Sequence, residues 1–197
     1  MMNMKQNHIA TALGAIDRGH VEETESGILI PAVGALAVGE YTHRKNNEPW
    51  AVDYNKVTVE FINYMLEAGL RDGTQEANWY MTLFGTGETP DTEWTASSFA
   101  SLGVENTDDS NGYTSATRPE WLPGASASGQ VSNTGASVSF SFATSGGVTI
   151  GGIAILSSEV RGGSDGILAS AANLSNSRLF EDGDTYDVTY RLRFVTA

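Results

Sequence analysis

An eleven-residue segment close to the C-terminus constrains the fold most. From Thr185 to Val195 the residues Tyr186, Val188, Tyr190, Leu192 and Phe194 alternate with Asp187, Thr189, Arg191 and Arg193. A period of two places one set on each face of an extended strand, so the segment predicts a β-strand with one apolar and one wet side. Such a strand is stable only against other strands and a second apolar layer. The same alternation recurs at Val138, Phe140 and Phe142 against Ser137, Ser139 and Ser141. Val148 to Leu156 is apolar almost throughout, the pattern of an interior strand, and Ile167 to Ala172 adds another.

Earlier in the chain, Ile28 to Arg44 and Trp50 to Tyr54 flank Lys45-Asn46-Asn47 and predict a hairpin, because Asn tolerates the left-handed conformation of a tight reversal. Asn78 to Phe84 predicts a buried strand dense in aromatics. Between these, Val59, Phe61, Ile62, Met65 and Leu66 share one broad helical face. Thr58 is placed to cap that helix at its start and Gly69 at its end, with Leu70 making the apolar contact of the cap. The face is expected to pack on a sheet. Asp182-Gly183-Asp184 and Ser145-Gly146-Gly147 supply turns. About eight strands with one clear helix predict a mainly β fold, an antiparallel β-sandwich that is jelly-roll-like or immunoglobulin-like. A parallel α/β sheet would need a helix between most strands.

Residues 1–27 carry scattered apolar positions and end in Glu22, Glu23 and Glu25; they read as an extended N-terminal arm, ordered on another subunit or not at all. Residues 28–197 form the sandwich domain, with the helix near 58–69 and a long loop excursion over 85–123 in which Thr95 to Leu102 could be a short helix. The opening residues lack a continuous apolar run, and Ile28 to Gly39 is broken by Pro31 and Gly34, so neither a secretory signal nor a membrane span is expected.

The 197-residue chain has a net charge of −13 and no cysteine. The charge repels a phosphate backbone, which argues against direct nucleic-acid binding, and without thiols there is no disulfide framework or thiolate metal site. Glu88, Asp91, Glu93, Glu105, Asp108, Asp109 and Glu120 are matched by one base, Arg118, in the excursion, which is expected to be an outward, solvated face. By contrast, no charged residue occurs from Leu122 to Ser158.

No catalytic, cofactor or metal residues are assigned. His8, His20 and His43 all lie in the first 43 residues, two of them in the arm, so none is expected to activate a serine in the sandwich. No nucleophile elbow, phosphate-binding loop or zinc-protease motif occurs, and Gly151-Gly152 and Gly162-Gly163 read as turn and close-packing glycines. Asp108-Asp109-Ser110-Asn111-Gly112 offers hard oxygen ligands but lacks EF-hand spacing, which favours an Asx-type turn. A pair of carboxylates meeting across a cleft would suit a glycosidase, but clustering in loops favours plain solvation.

Several segments together carry a likeness: Val57-Thr58 and the helix through Leu66, Gly73-Thr74, Trp79 to Phe84, Ala116 to Trp121, Ser132-Asn133, Gly152 to Ser158, Gly166 to Leu168, and Asp182-Gly183-Asp184. In their order and spacing the chain resembles a family of tailed-phage virion structural proteins, among which capsid cement or decoration proteins with a jelly-roll-like fold occur. The resemblance implies a non-enzymatic protein made in the host cytoplasm and carried on the capsid exterior, whose partners are the major capsid protein and further copies of itself, as a dimer or trimer. The arm and the uncharged Ser/Gly-rich surface are the expected contact regions. The alternative is an adhesion module of a tail or fibre, binding host glycan through Trp94 and Trp121.

Overall fold

A computed structural model describes residues 21–23, 29–31 and 35–196. The chain divides into two units. Residues 1–36 and 194–197 make up one, in which strands β1 (Val21–Glu23) and β2 (Leu29–Pro31) pair antiparallel. Apart from β1, the expected arm over residues 1–27 lies outside the described residues. The other unit, residues 37–193, is an antiparallel β-sandwich.

One sheet of the sandwich takes β3 (Ala35–Lys45), β4 (Ala51–Tyr54), β7 (Gly112–Tyr113), β10 (Val138–Ala143) and β13 (Thr185–Thr196) in the order β4-β3-β13-β10-β7, with β9 (Gln130–Ser132) also pairing β13. The second takes β5 (Lys56–Val57), β6 (Trp79–Phe84), β8 (Glu120–Trp121), β11 (Val148–Leu156) and β12 (Leu168–Phe180) in the order β5-β12-β11-β6-β8. The hairpin forms where the sequence places it, with Tyr41 opposite Asp53 and Asn46 turning at φ 51°. Short strands β7 and β8, where the excursion returns to pair at both sheets, and β9 after it raise the count above eight.

The two-residue period decides which side chains meet. Tyr186, Val188, Tyr190 and Leu192 of β13, with Val138, Phe140 and Phe142 of β10, face Met81, Leu83, Ile150, Ile153 and Ile155 of the other sheet in one core. Phe142 and Phe180 stack with ring centroids 4.1 Å apart. Phe194, expected on the same inward face, is 45% exposed.

Helix α1 spans Val59–Leu70 and corrects two expectations. Its C-cap is Arg71 and not Gly69: Asp72 takes the left-handed conformation at φ 61°, Gly73 N–H donates to Glu67 O at 2.9 Å, and Leu70 is 80% exposed. The expected apolar face is buried only in part, at Phe61 and Met65. Phe61 and Tyr64 turn inward against Trp79, whereas Val59, Ile62 and Leu66 remain exposed. Aromatic partners at the sandwich end decide the rotation, since rings bury more area than aliphatic branches.

A second helix, α2 (Ala96–Leu102), forms inside the excursion behind a reciprocal cap between Thr95 and Ser98. Its Ala96 and Phe99 cover the outer face of the second sheet at Phe84, Ala154, Leu156 and Leu168, with Trp94 packed alongside. No helix among the described residues is long and apolar enough to cross a membrane.

Thr58 joins α1 to the sheet. Its hydroxyl oxygen accepts from Phe61 N–H at 3.2 Å and donates to Leu168 O, and the residue is fully buried. Thr58→Ala removes both contacts and is expected to destabilise the chain by about 1–3 kcal/mol in urea unfolding, with no change in the far-UV spectrum.

Candidate functional site

The strongest polar constellations are internal, and the first lies within the excursion. Arg118 and Glu105 form a two-pronged pair, Nε to Oε1 at 2.6 Å and Nη2 to Oε2 at 2.7 Å, with both side chains almost wholly out of water. Glu105 also accepts from the Thr82 hydroxyl at 2.6 Å and from Gly162 N–H at 2.8 Å. Arg118 Nη1 donates to Ser158 O at 2.8 Å. Beside them, Arg161 lies over the Tyr113 ring at 3.9 Å and donates to Ser115 O and Asn106 O. Burial pushes the Tyr113 hydroxyl up to about 12.

These bonds fasten the loop after β11 to the excursion. They correct the expectation that Glu105 and Arg118 belong to a solvated face, since a carboxylate taken from water needs this many donors. Glu88, Asp91, Glu93, Asp108, Asp109 and Glu120 are exposed as expected.

The second constellation joins the sheets. His43 Nε2 lies 2.8 Å from Asp53 Oδ2, while Ser175 of β12 donates its N–H at 2.9 Å and its hydroxyl to Asp53 Oδ1. The residue types of a hydrolytic triad therefore meet, but in another connectivity. The hydroxyl binds the carboxylate and not the imidazole, so the histidine has no proton to take from it. His43 is 1% exposed, and its Nδ1 has no hydrogen-bond partner. His8 and His20 lie outside the described residues.

Burial lowers the pKa of His43 despite the neighbouring carboxylate, so at neutral pH the contact is a hydrogen bond from a neutral ring. For Asp53 burial acts upward, but the hydrogen bonds from Ser175 and His43 outweigh it and the pKa is lowered. Packing of one sheet on the other brings Asp53 to Ser175 across 122 residues of sequence, a separation that no local motif signals.

The other sequence candidates resolve as follows. Asp108 Oδ1 accepts from Ser110 N–H at 2.9 Å, the Ser110 hydroxyl at 2.8 Å and Asn111 N–H at 3.1 Å, which is the expected Asx-type turn. Among the described residues no group of three or more His, Asp or Glu side chains is arranged to hold a metal ion. Gly152 is a close-packing glycine, because a Cβ there would overlap the Phe84 ring. Trp121 is buried at 7% exposure and Trp94 packs between Phe84 and Phe99, so neither is the exposed aromatic a glycan platform requires.

What reaches solvent is different. Residues 122–130 are exposed without a break and carry no charge, and Ser139 and Ser141 point outward from β10. No protein-family model matches the chain, and no curated protein matches it either.

Two outcomes follow from the internal groups. Breaking the buried pair with Glu105→Gln or Arg118→Met leaves its partner unmatched and is expected to cost about 3–5 kcal/mol in denaturant unfolding, more than the double variant. His43 and Asp53 both titrate lower when folded. Stability is therefore complete above the unfolded histidine value of about 6.5 and declines as pH falls below it, then declines again below the unfolded aspartate value of about 3.9. Thermal melts between pH 7.5 and 5 are expected to show the first decline, and His43→Asn is expected to flatten it.

Proposed function

We propose that the chain is a structural virion protein of a tailed phage, a cement protein that binds the capsid exterior by bridging major capsid protein subunits. One observation supports this reading above the others: residues 122–130, from Leu122 to Gln130, form an unbroken exposed and uncharged stretch on a protein of net charge −13. Solvated surfaces of acidic proteins carry their charge where they face water, and interface centres are depleted of it. The likeness carried by segments from Val57 to Asp184 points the same way.

The mechanism is additive free energy. Each copy covers a seam between shell subunits, and a specific contact removes on the order of 800 Å² per partner from water. Copies that touch two subunits gain further through effective concentration, so weak single contacts hold on a symmetric shell. The sandwich serves as a stiff spacer, because its excursion and its sheets are cross-linked by Glu105–Arg118 and Asp53–Ser175.

The test is binding to shells assembled from a phage major capsid protein and lacking this chain. Full-length protein is expected to saturate them at a fixed ratio and to raise their disruption temperature. Ser126→Glu with Ala127→Glu, both at exposed positions, is expected to weaken occupancy at least tenfold without lowering the melting temperature of the free protein. Deleting residues 1–25 measures the arm's share. Unaltered occupancy after both changes would remove these surfaces from the account.

A further inference from the structure

Strands β4 and β5 are edges of the two sheets, and where the chain passes from one to the other it lines a cleft of about 180 Å³. The floor is Ala171 and Ala172 of β12, both almost wholly out of water, and the walls are Tyr54, Lys56, Thr89, Pro90 and Asn173. Asn55 turns inward, its Nδ2 donating to the Tyr190 hydroxyl at 3.0 Å, so Tyr54 and Lys56 on either side of it turn outward to the cleft. Tyr54, at 68%, is the most exposed aromatic side chain among the described residues.

We infer that this cleft binds one ring of a neutral sugar. Nothing in the assignment depends on the cement reading, and the cleft shares no residue with the uncharged stretch over 122–130.

The lining is of two kinds. The Tyr54 ring, Pro90 and the two alanines form an apolar wall. Asn173 Nδ2 donates to Glu88 O at 3.0 Å, and its amide oxygen, the Lys56 ammonium and the hydroxyls of Thr89 and Tyr54 have no hydrogen-bond partner among the described residues. An ammonium only donates, an amide oxygen only accepts and a hydroxyl does either. A ligand that matches all of them donates and accepts at several points of its edge and is apolar on a face. A pyranose has that form, with hydroxyls around the ring and C–H groups that lie against the electron-rich face of an aromatic. An aliphatic side chain or a carboxylate offers only one of the two.

Size and charge narrow the class. Sites for drug-sized molecules begin at roughly 300 Å³, so a cleft of about 180 Å³ takes a single ring. Lys56 does not make it a site for anions. Asp91, whose carboxyl is held low chiefly by Glu93 N–H and the Thr92 hydroxyl, also feels the Lys56 charge, and the chain as a whole is at −13. A uronate or a nucleotide phosphate meets that field as a like charge, whereas a neutral sugar does not. The walls are also fixed in advance: Asp53, next to Tyr54, is tied to His43 and Ser175, Lys56 pairs with Ala171, and Glu88 O holds Asn173. Binding is spared the cost of ordering them.

Amide NMR of the full-length chain, titrated with the methyl glycosides of glucose, galactose, mannose and N-acetylglucosamine to about 50 mM, tests the assignment over the millimolar range of a single small ring. Saturable shifts confined to residues 54–56, 88–91 and 171–173 are expected with at least one of them. Tyr54→Ala and Asn173→Ala, both at exposed positions, are expected to raise the dissociation constant, the first roughly tenfold or more, with the melting temperature unchanged. Trp50→Ala, an exposed aromatic outside the cleft, is expected to leave it alone.

No saturable shift with any of these glycosides overturns the assignment, as do shifts that persist in Tyr54→Ala or lie away from the cleft. Tighter binding of glucuronate or adenosine at the same amides gives the cleft to another class of ligand and overturns it as well. The titration contains no shells, so its failure leaves the cement reading to the occupancy test, and failure of that test leaves the sugar site standing.

Discussion

Burial of two apolar strand faces against each other is the condition on which the remaining structure depends. Phe140, Phe142, Tyr186 and Val188 from one sheet and Met81, Leu83, Ile153 and Ile155 from the other are all at most 2% exposed. Each such side chain contributes roughly 1.5–3 kcal/mol on leaving water, and the chain has no disulfide to supplement them. Because neighbours on a strand face opposite ways, this core also settles the outward set: Ser139, Ser141, Asp187, Arg191 and Arg193 are turned away by the same geometry that turns the rings in. The wet surface is a by-product of the dry one.

On that platform, polar groups do what the apolar layer cannot do, which is to specify where loops and edges attach. Asp53 binds the backbone of Ser175 across the two sheets, and Glu105 with Arg118 holds the excursion to the loop after β11. A buried ion pair adds little net stability against an apolar replacement, but it tolerates only one geometry. In this chain it makes a connection of nearly forty residues follow one path. The consequence for function is stiffness: residues 122–130 and the cleft beside Tyr54 are presented by a cross-linked body.

The two surfaces differ in character. One is uncharged and rich in Ser, Ala and Gly; the other is a small cleft walled by Tyr54 and Pro90, with Lys56, Thr89 and Asn173 around it. Large aromatic and aliphatic groups provide affinity in small areas, whereas small residues allow backbones to approach closely over wide ones.

Strand segments were legible in the sequence wherever one face is dry and the other wet, as in β10 and β13, because burial imposes the period directly on the residues. The Thr58 cap and the Asx turn at Asp108 were legible too, since each is satisfied within three residues of itself. The rotation of α1 was not. Its residues offer two apolar faces, and only the position of Trp79 selects Phe61 and Tyr64 over Ile62 and Leu66. Nor were the burial of Glu105, Arg118 and Trp121 or the meeting of His43, Asp53 and Ser175, because a charge in a loop reads as solvated until its partner arrives from a distant strand. Local chemistry and periodicity thus determined that this chain is a two-layer β protein. Tertiary packing alone decided which charges it hides and which apolar side chains it leaves in water, since both depend on neighbours tens of residues away.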